Sequence, residues 1–447
     1  MLRFDPSGAV HPEYGVTAEQ LQGIYPHLVD LRSQLVAPNS SSPSELGNRF
    51  YHLPSEQLEA YKQLRETSDL GRIFKVANSQ MDLLDAVVII AGGGLELGPL
   101  SLILANCDPY HNELRRGPRG GKPRIYFTGS DLDNDTLQAL LSRIAAGGYG
   151  DNDVEDRWGI VAIGQNAVSD ELAIAFKFLT SELMANLQGY DASLFGRFLV
   201  PILSSDSKLW DDSILLRCDE IFTIPDSLIG PSSVLSVVGM LPAAMLGLDI
   251  MKLLEGAVAM NEHFEATPPK ANMVMQYVAI NHLLAKHQGR SIRELKLWDA
   301  SLESIGWWYE RLLSQTFADH SACWSQRTNV STLGLSRDLK PRASGKRDRV
   351  VSNLLIQQCR TDPLELAGIG LENEITERYL PERLASKISQ ANDAHQADKQ
   401  PSIDIILPTI DTFALGQLFQ MLMIATRIEC GLFEPESNAS PTAIRTY

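Results

Sequence analysis

At 447 residues, with 44% hydrophobic and 21% charged side chains, the chain has the makeup of a globular protein with apolar material for two or three cores, which excludes a fibrous or disordered polypeptide. Its formal net charge of −16 works against nucleic acid and anionic membranes as partners. Five cysteines (107, 218, 323, 359, 430) stand singly without CxxC spacing, the opening MLRFDPSGAVHPEYG has no apolar leader, and the apolar stretch Val237–Leu248 is too short to span a bilayer; reduced thiols and a cytoplasmic location are expected.

Residues 1–70 are polar, with helical stretches TAEQLQGIYPHLVDLRSQL and PSEQLEAYKQLRET around the loop APNSSSPSELGN, and are expected to wrap a domain rather than form one. DAVVIIAGGG follows, four β-branched residues running into three glycines, the pattern of a strand buried on both faces that opens into a loop. RIYFTGS (124–130), WGIVAIG (158–164), FLVPILSSD (198–206) and DEIFTIP (219–225) read as further strands, with amphipathic helices after the second and third. Such alternation predicts a doubly wound, mostly parallel sheet of the α/β class. The pattern restarts after Val234: helix NMVMQYVAINHLLAKHQG, strand RELKLWD, helix SLESIGWWYERLLSQTF, a basic loop (330–349), helix VSNLLIQQC, a polar low-complexity segment SQANDAHQADKQPS, strand IDIILP and helix TFALGQLFQMLMIATRIECGLF. Two basic runs, ELRRGPRGGKPR (113–124) and RDLKPRASGKRDR (337–349), read as solvated loops, with anion binding as the alternative.

Ligands of open parallel sheets bind beyond the carboxyl ends of strands. AGGGLELGP (91–99), GQNAVSDE (164–171) and IPDSLIGPSS (224–233) stand at such ends, and glycine-exposed N–H groups beside a helix N-terminus suit a phosphate. Ser169 is equally suited to cap the following helix, while Asp170 and Glu171 favour its dipole but oppose an anion.

PSSVLSVVGMLPAAMLGLDIMKLLEGA (231–257) is similar to the signature of the glucose-6-phosphate isomerase family, Gly-Gly-Arg-(Phe/Tyr)-Ser-Val-Leu-Ser-x-Val-Gly-Leu-Leu-Pro. AGGGLELGP, GQNAVSDEL and RLLSQTFAD fall, in order, where the family has Gly-(Ile/Met)-Gly-Gly-Ser-x-Leu-Gly, Ser-Lys-(Ser/Thr)-Gly-Thr-Thr-x-Glu-Thr and Gln-Leu-x-x-Glu-Ser-x-Gly-Lys. The resemblance implies two sugar-isomerase domains, divided as 71–233 and 234–447 after the helical segment 1–70, a homodimer, and a cleft for a hexose 6-phosphate. The implied reaction belongs to glycolysis and gluconeogenesis: ring opening, then proton transfer between C1 and C2 through a cis-enediol, without metal or organic cofactor. The candidate phosphate-binding residues are Gly93, Gly94, Gln165, Asn166, Ser169, Glu171 and Ser233, and the candidate catalytic positions are Gln315, Asp319 and His320.

The chemistry departs from the family pattern. Its phosphate-loop Ser and Lys are Gly164 and Gln165, and its signature arginine is Pro231. Its base glutamate is Gln315, and its closing Gly-Lys is Ala318-Asp319. The place of its histidine falls at Val350 or Arg349, and its C-terminal lysine has no match in ESNASPTAIRTY. An amide has no basic site for C–H deprotonation near neutral pH. Asp319 is expected one helical turn beyond Gln315 if the helix continues, with His320 beside it, as substitute bases or as exposed residues of a helix end. Three readings follow: a divergent isomerase, a non-catalytic sugar-phosphate-binding or regulatory protein, and a structural partner of an active isomerase.

Overall fold

The computed structural model describes residues 1–37, 47–81, 83–145, 157–165, 169–187, 193–205, 207, 217–225, 228, 230–317, 325–330, 348–366 and 376–433. The chain opens with a short strand, β1 (Arg3–Asp5), and three helices, α1 (Ala18–Val36), α2 (Arg49–Leu64) and α3 (Asp69–Met81). Thr17 starts α1 with a reciprocal capping box to Gln20. The first sheet alternates β2 (Ala86–Ile90), α4 (Leu97–Asn106), β3 (Arg124–Thr128), α5 (Asn134–Ala145), β4 (Trp158–Gly164), α6 (Asp170–Asn186), α7 (Ser193–Phe198), β5 (Leu199–Leu203) and β6 (Phe222–Thr223). All its pairings are parallel, in the order β3-β2-β4-β5-β6. Every residue of β4 and β5 is buried, as their unbroken apolar runs require of strands covered on both faces. The chain leaves β2 toward β3 on one side and returns to β4 on the other, so a crevice opens beyond the ends of β2 and β4.

The second unit holds α8 (Val237–Met245), α9 (Ile250–Ala266), α10 (Met273–Gln288), β7 (Ile292–Leu297), α11 (Glu303–Thr316), β8 (Ser325–Val330), β9 (Arg349–Ile356), α12 (Leu380–Ala397), β10 (Ser402–Leu407) and α13 (Thr412–Gly431). Its sheet runs β1-β10-β9-β7-β8, parallel except for β1. The mixed α/β class with largely parallel sheets is as expected. Three elements correct the sequence reading. The stretch 351–359, expected as a helix, begins inside β9, because a short apolar run fits a strand held between β7 and β10 as well as a helix. The polar segment 389–402 is largely the end of α12, whose Ala391 packs on Trp298 and Leu355. Residues 3–5 supply the antiparallel edge strand.

Helix α13 is buried at every residue except the half-buried Phe413, lying against α9, α10 and α11. Its contact with α9 is backbone to backbone: a Cβ on Gly256 would lie 2.0 Å from the Phe413 carbonyl oxygen, and one on Gly416 would lie 1.9 Å from that of Leu253. Its apolar circumference is therefore satisfied within the chain and gives no argument for a partner subunit. No described helix is long and apolar enough to cross a membrane.

The basic run 113–124 is solvated in part, with Arg115 exposed, but three of its arginines turn inward. Arg119 and Arg124 bond the buried carboxylate of Asp85, with Arg116 at 3.9 Å. Their remaining N–H groups go to the carbonyls of Leu84, Asp85, Asn112, Leu114 and Lys122. The second run lies mostly outside the described residues.

Candidate active site

Three segments meet at the crevice. After β2 the chain turns through Gly93 (φ +70°) and Gly94 (φ +95°), a left-handed path that glycine adopts without a Cβ penalty. The Gly94 N–H donates to Glu96 Oε2 at 3.0 Å, so this carboxylate is spent inside the loop. Beyond β4, the side chain of Gln165 bridges to the third segment. Its Nε2 donates to the Leu228 carbonyl, and its Oε1 accepts from the Gly230 N–H at 3.2 Å. The third segment, Gly230–Leu235, is a buried 3₁₀ turn held by two serine hydroxyls. Ser233 Oγ donates to the Gly230 carbonyl and Ser236 Oγ to that of Ser233, both at 2.6 Å. Trp308 Nε1 adds a bond to the Pro231 carbonyl at 2.8 Å, tying the turn to α11.

Helix α11 lies over these loops, packed on α4, α13 and the 230–235 turn. Arg311 and Gln315 stand four residues apart and so share a face. A Cβ at Gly230 (φ +49°) would come 2.6 Å from Gln315 Oε1 and 3.4 Å from the Gly93 carbonyl oxygen. One at Gly94 would come 3.0 Å from Arg311 Cγ and 3.3 Å from both Arg311 Nε and Pro231 Cδ. The two glycines thus let the polar face of α11 settle onto the loops. Gln315 Oε1 is buried there without a hydrogen-bond partner among the described residues. Arg311 is exposed, and its guanidinium has neither an ion pair nor a hydrogen bond among the described residues.

Gly93, Gly94, Gln165, Ser233 and Gln315 therefore converge as the sequence reading grouped them, but the amide of Gln165 and the hydroxyl of Ser233 are already engaged in shaping the turn. Ser169 acts as the N-cap of α6, accepting from Leu172 N–H at 3.4 Å. A bond from its hydroxyl lowers the pKa of Glu171, which keeps that side chain an anion. Asn166, Asp319 and His320 lie outside the described residues. The premise that placed Asp319 one turn beyond Gln315 does not hold, since α11 ends at Thr316. Arg311 was missed. Its only signal in sequence is its place one turn before Gln315 in RLLSQ. Chemically, the described part of the crevice offers neutral donors, one cation and two amides, of which that of Gln165 is engaged; the carboxylate of Glu96 is tied to Gly94.

Comparison with known proteins finds similarity to one family. The model of the phosphoglucose isomerase family matches residues 200–314, covering the turn and α11 up to the residue before Gln315. The chain is similar to a glucose-6-phosphate isomerase of Rubrobacter xylanophilus, 24% identical over 444 residues, 97% of this chain and 93% of that protein. It is similar to one from Pediococcus pentosaceus, 27% identical over 319 residues, 71% of this chain and 66% of the relative, just under two thirds of its length. In fold it resembles a glucose-6-phosphate isomerase from Chlamydia trachomatis, with a TM-score of 0.69 and 14% identity, covering 92% of this chain and 80% of the other.

Proposed function

Because the chain is a divergent member of the phosphoglucose isomerase family, we propose that its cleft binds a hexose 6-phosphate but does not isomerise it at enzymatic rates. The observation that carries this reading is Gln315. It reaches the loops at Gly93 and Gly230, where proton transfer between adjacent carbons needs a base, and presents a neutral amide. A positioned general base contributes about 10²–10⁴-fold to rate, and general-base catalysis needs one within hydrogen-bond reach of the proton removed. Pro231, beside Gly94, offers neither a side-chain donor nor a backbone N–H to a developing enediolate. The binding elements fare better. The glycine loop after β2 and the stapled turn 230–235 keep their form, and the crevice lies where open α/β sheets hold ligands.

The test pairs two measurements on the purified protein. Calorimetry with fructose 6-phosphate should give a dissociation constant on the order of millimolar, about −4 kcal/mol. A coupled assay of fructose 6-phosphate to glucose 6-phosphate conversion should stay at the uncatalysed level. Turnover at ordinary enzymatic rates would sink the reading and make Asp319→Asn and His320→Ala the next variants. The same reading takes the chain to be a homodimer in the cytoplasm, beside glycolysis and gluconeogenesis and needing no metal or organic cofactor. A monomeric mass by light scattering at micromolar concentration would remove the first of these.

A further inference from the structure

We propose, resting on the reading above, that Arg311 anchors the anionic group of the ligand, reaching it from α11 across the gap between Gly94 and Pro231. Around this gap Gly93, Gly94, Gln165, Gly230, Pro231, Ser233 and Gln315 carry no charge, and Glu96 is negative. A ligand with a phosphate finds its cation among the described lining residues in Arg311. The stem of that side chain lies against Gly94, with Cγ and Nε at 3.0 and 3.3 Å from the position of the missing Cβ, so the base of the guanidinium stands at the glycine loop. It is exposed and has no ion pair or hydrogen bond among the described residues. A planar guanidinium matches the oxygens of a phosphate in a bidentate fork, which a neutral donor cannot replace.

The neighbouring residue fixes the other end. Gln315 lies one turn further along the same face, where side chains stand about 5–6 Å apart, and its Oε1 has no hydrogen-bond partner among the described residues. An anion on Arg311 and a hydroxyl on Gln315 are thus separated by a few carbon–carbon bonds. The ligand class that fits is a polyol phosphomonoester lying along α11, its phosphate toward the N-terminal end of that helix.

The experiment titrates wild type, Arg311→Ala, Arg311→Lys and the surface control Lys177→Ala with fructose 6-phosphate, fructose, inorganic phosphate and gluconate. Thermal unfolding of each variant checks that it folds. Loss of a charge-assisted contact should weaken fructose 6-phosphate binding about ten- to a hundredfold in Arg311→Ala. Arg311→Lys should fall between, and Lys177→Ala should match wild type. Neutral fructose should bind no more strongly to wild type than to Arg311→Ala. Gluconate bound as tightly as the phosphate ester would overturn the phosphomonoester assignment. If wild type binds fructose 6-phosphate and Arg311→Ala binds it equally, the anchor is wrong while the functional reading stands. Absence of any binding to wild type overturns both.

Discussion

The two sheets are wound alike and held together differently. In the first, β2, β4 and β5 are apolar, and polar groups stand at the strand ends, shaping the crevice at one and pairing Asp85 with Arg119 and Arg124 at the other. In the second, charge runs through the core. Arg293 of β7 is 2% exposed and bonds Glu429 of α13, its Nη1 at 2.7 Å from Oε2. Burial opposes that guanidinium's charge, but the Glu429 carboxylate outweighs it and holds the pKa above its ordinary value. The hydroxyls of Tyr277 and Tyr309 meet beside them at 3.3 Å, and burial raises the pKa of both. A second network joins Trp298, Asn353, Asn392 and Asp404, and burial raises the pKa of that aspartate. The contrast teaches where this chain has kept its buried charges: through the sheet interior of the second unit and at the far end of the first, while the described lining of the crevice is nearly neutral.

The sharpest way to break the contrast is Glu429→Gln. Removing one partner of a buried pair leaves the other uncompensated, so a loss of about 3–5 kcal/mol is expected in the denaturant midpoint at unchanged slope. Ligand binding per folded molecule should not change. Replacing both members, Arg293→Met with Glu429→Leu, should recover most of that loss; a double variant as weak as the single one would show that the pair specifies more than its own charge balance.

Gln165→Ala tests the other side of the contrast. It strips partners from Gly230 N–H and the Leu228 carbonyl, both in buried residues, and should cost about 1–3 kcal/mol. Unlike the core variant it should also weaken hexose-phosphate binding, because it loosens the turn beneath the crevice. Unchanged affinity would show that the turn is shaped by its serines alone.

Acid should find the second unit first. Burial, helped by Lys286, Arg293, His287 and His27, lowers the pKa of His282 on α10 to about 4. Its Nδ1 is buried without a partner among the described residues, and its ring lies 5.4 Å from that of Phe433. A folded-state pKa below the unfolded value means that the unfolded chain takes up the proton first. This contribution is therefore complete above about pH 6.5 and is lost as pH falls toward 4, by about 1–2 kcal/mol. Denaturant titrations across this window should show a shallower decline for His282→Gln than for wild type.

Ser169→Ala should cost about 1 kcal/mol as a lost N-cap and leave affinity as it was. A drop in binding would return Ser169 to the phosphate site. The smallest effect is expected from Gln315→Glu, which supplies a carboxylate but neither the means to open a sugar ring nor an arginine at 231, and so should change turnover by less than about tenfold. A gain of 10²-fold or more would show that loss of the base alone had silenced the crevice.

What could be read from the sequence follows from how local each signal is. Four β-branched residues before three glycines declare β2 and its turn by themselves, and twenty residues rich in Leu, Met, Phe and Ile suffice for α13. Strand β9 was hidden because RVVSNLLI owes its form to neighbours on both sides, and α12 because a polar helix that buries little beyond Ala391 resembles a loop in composition. At the crevice the glycine turns and Gln315 were legible from the order of motifs. Arg311 was not: its approach to Gly94 exists only after α11 docks across the two units, and an arginine on an exposed helical face looks the same in sequence whether it meets a ligand or water.

The inward turn of the 113–124 segment also sets how a ligand arrives. Three arginines there bond Asp85 and nearby carbonyls, so part of the chain's limited cationic charge is held close to its own carboxylate, while the net charge remains −16. A doubly charged sugar phosphate thus diffuses toward the molecule against its average field and meets local attraction only within about 8 Å, the screening length at physiological salt. Added salt should accordingly speed encounter while weakening the bound state. The association rate constant would rise with ionic strength as the dissociation rate constant rises faster, the opposite of electrostatic steering by a basic cleft.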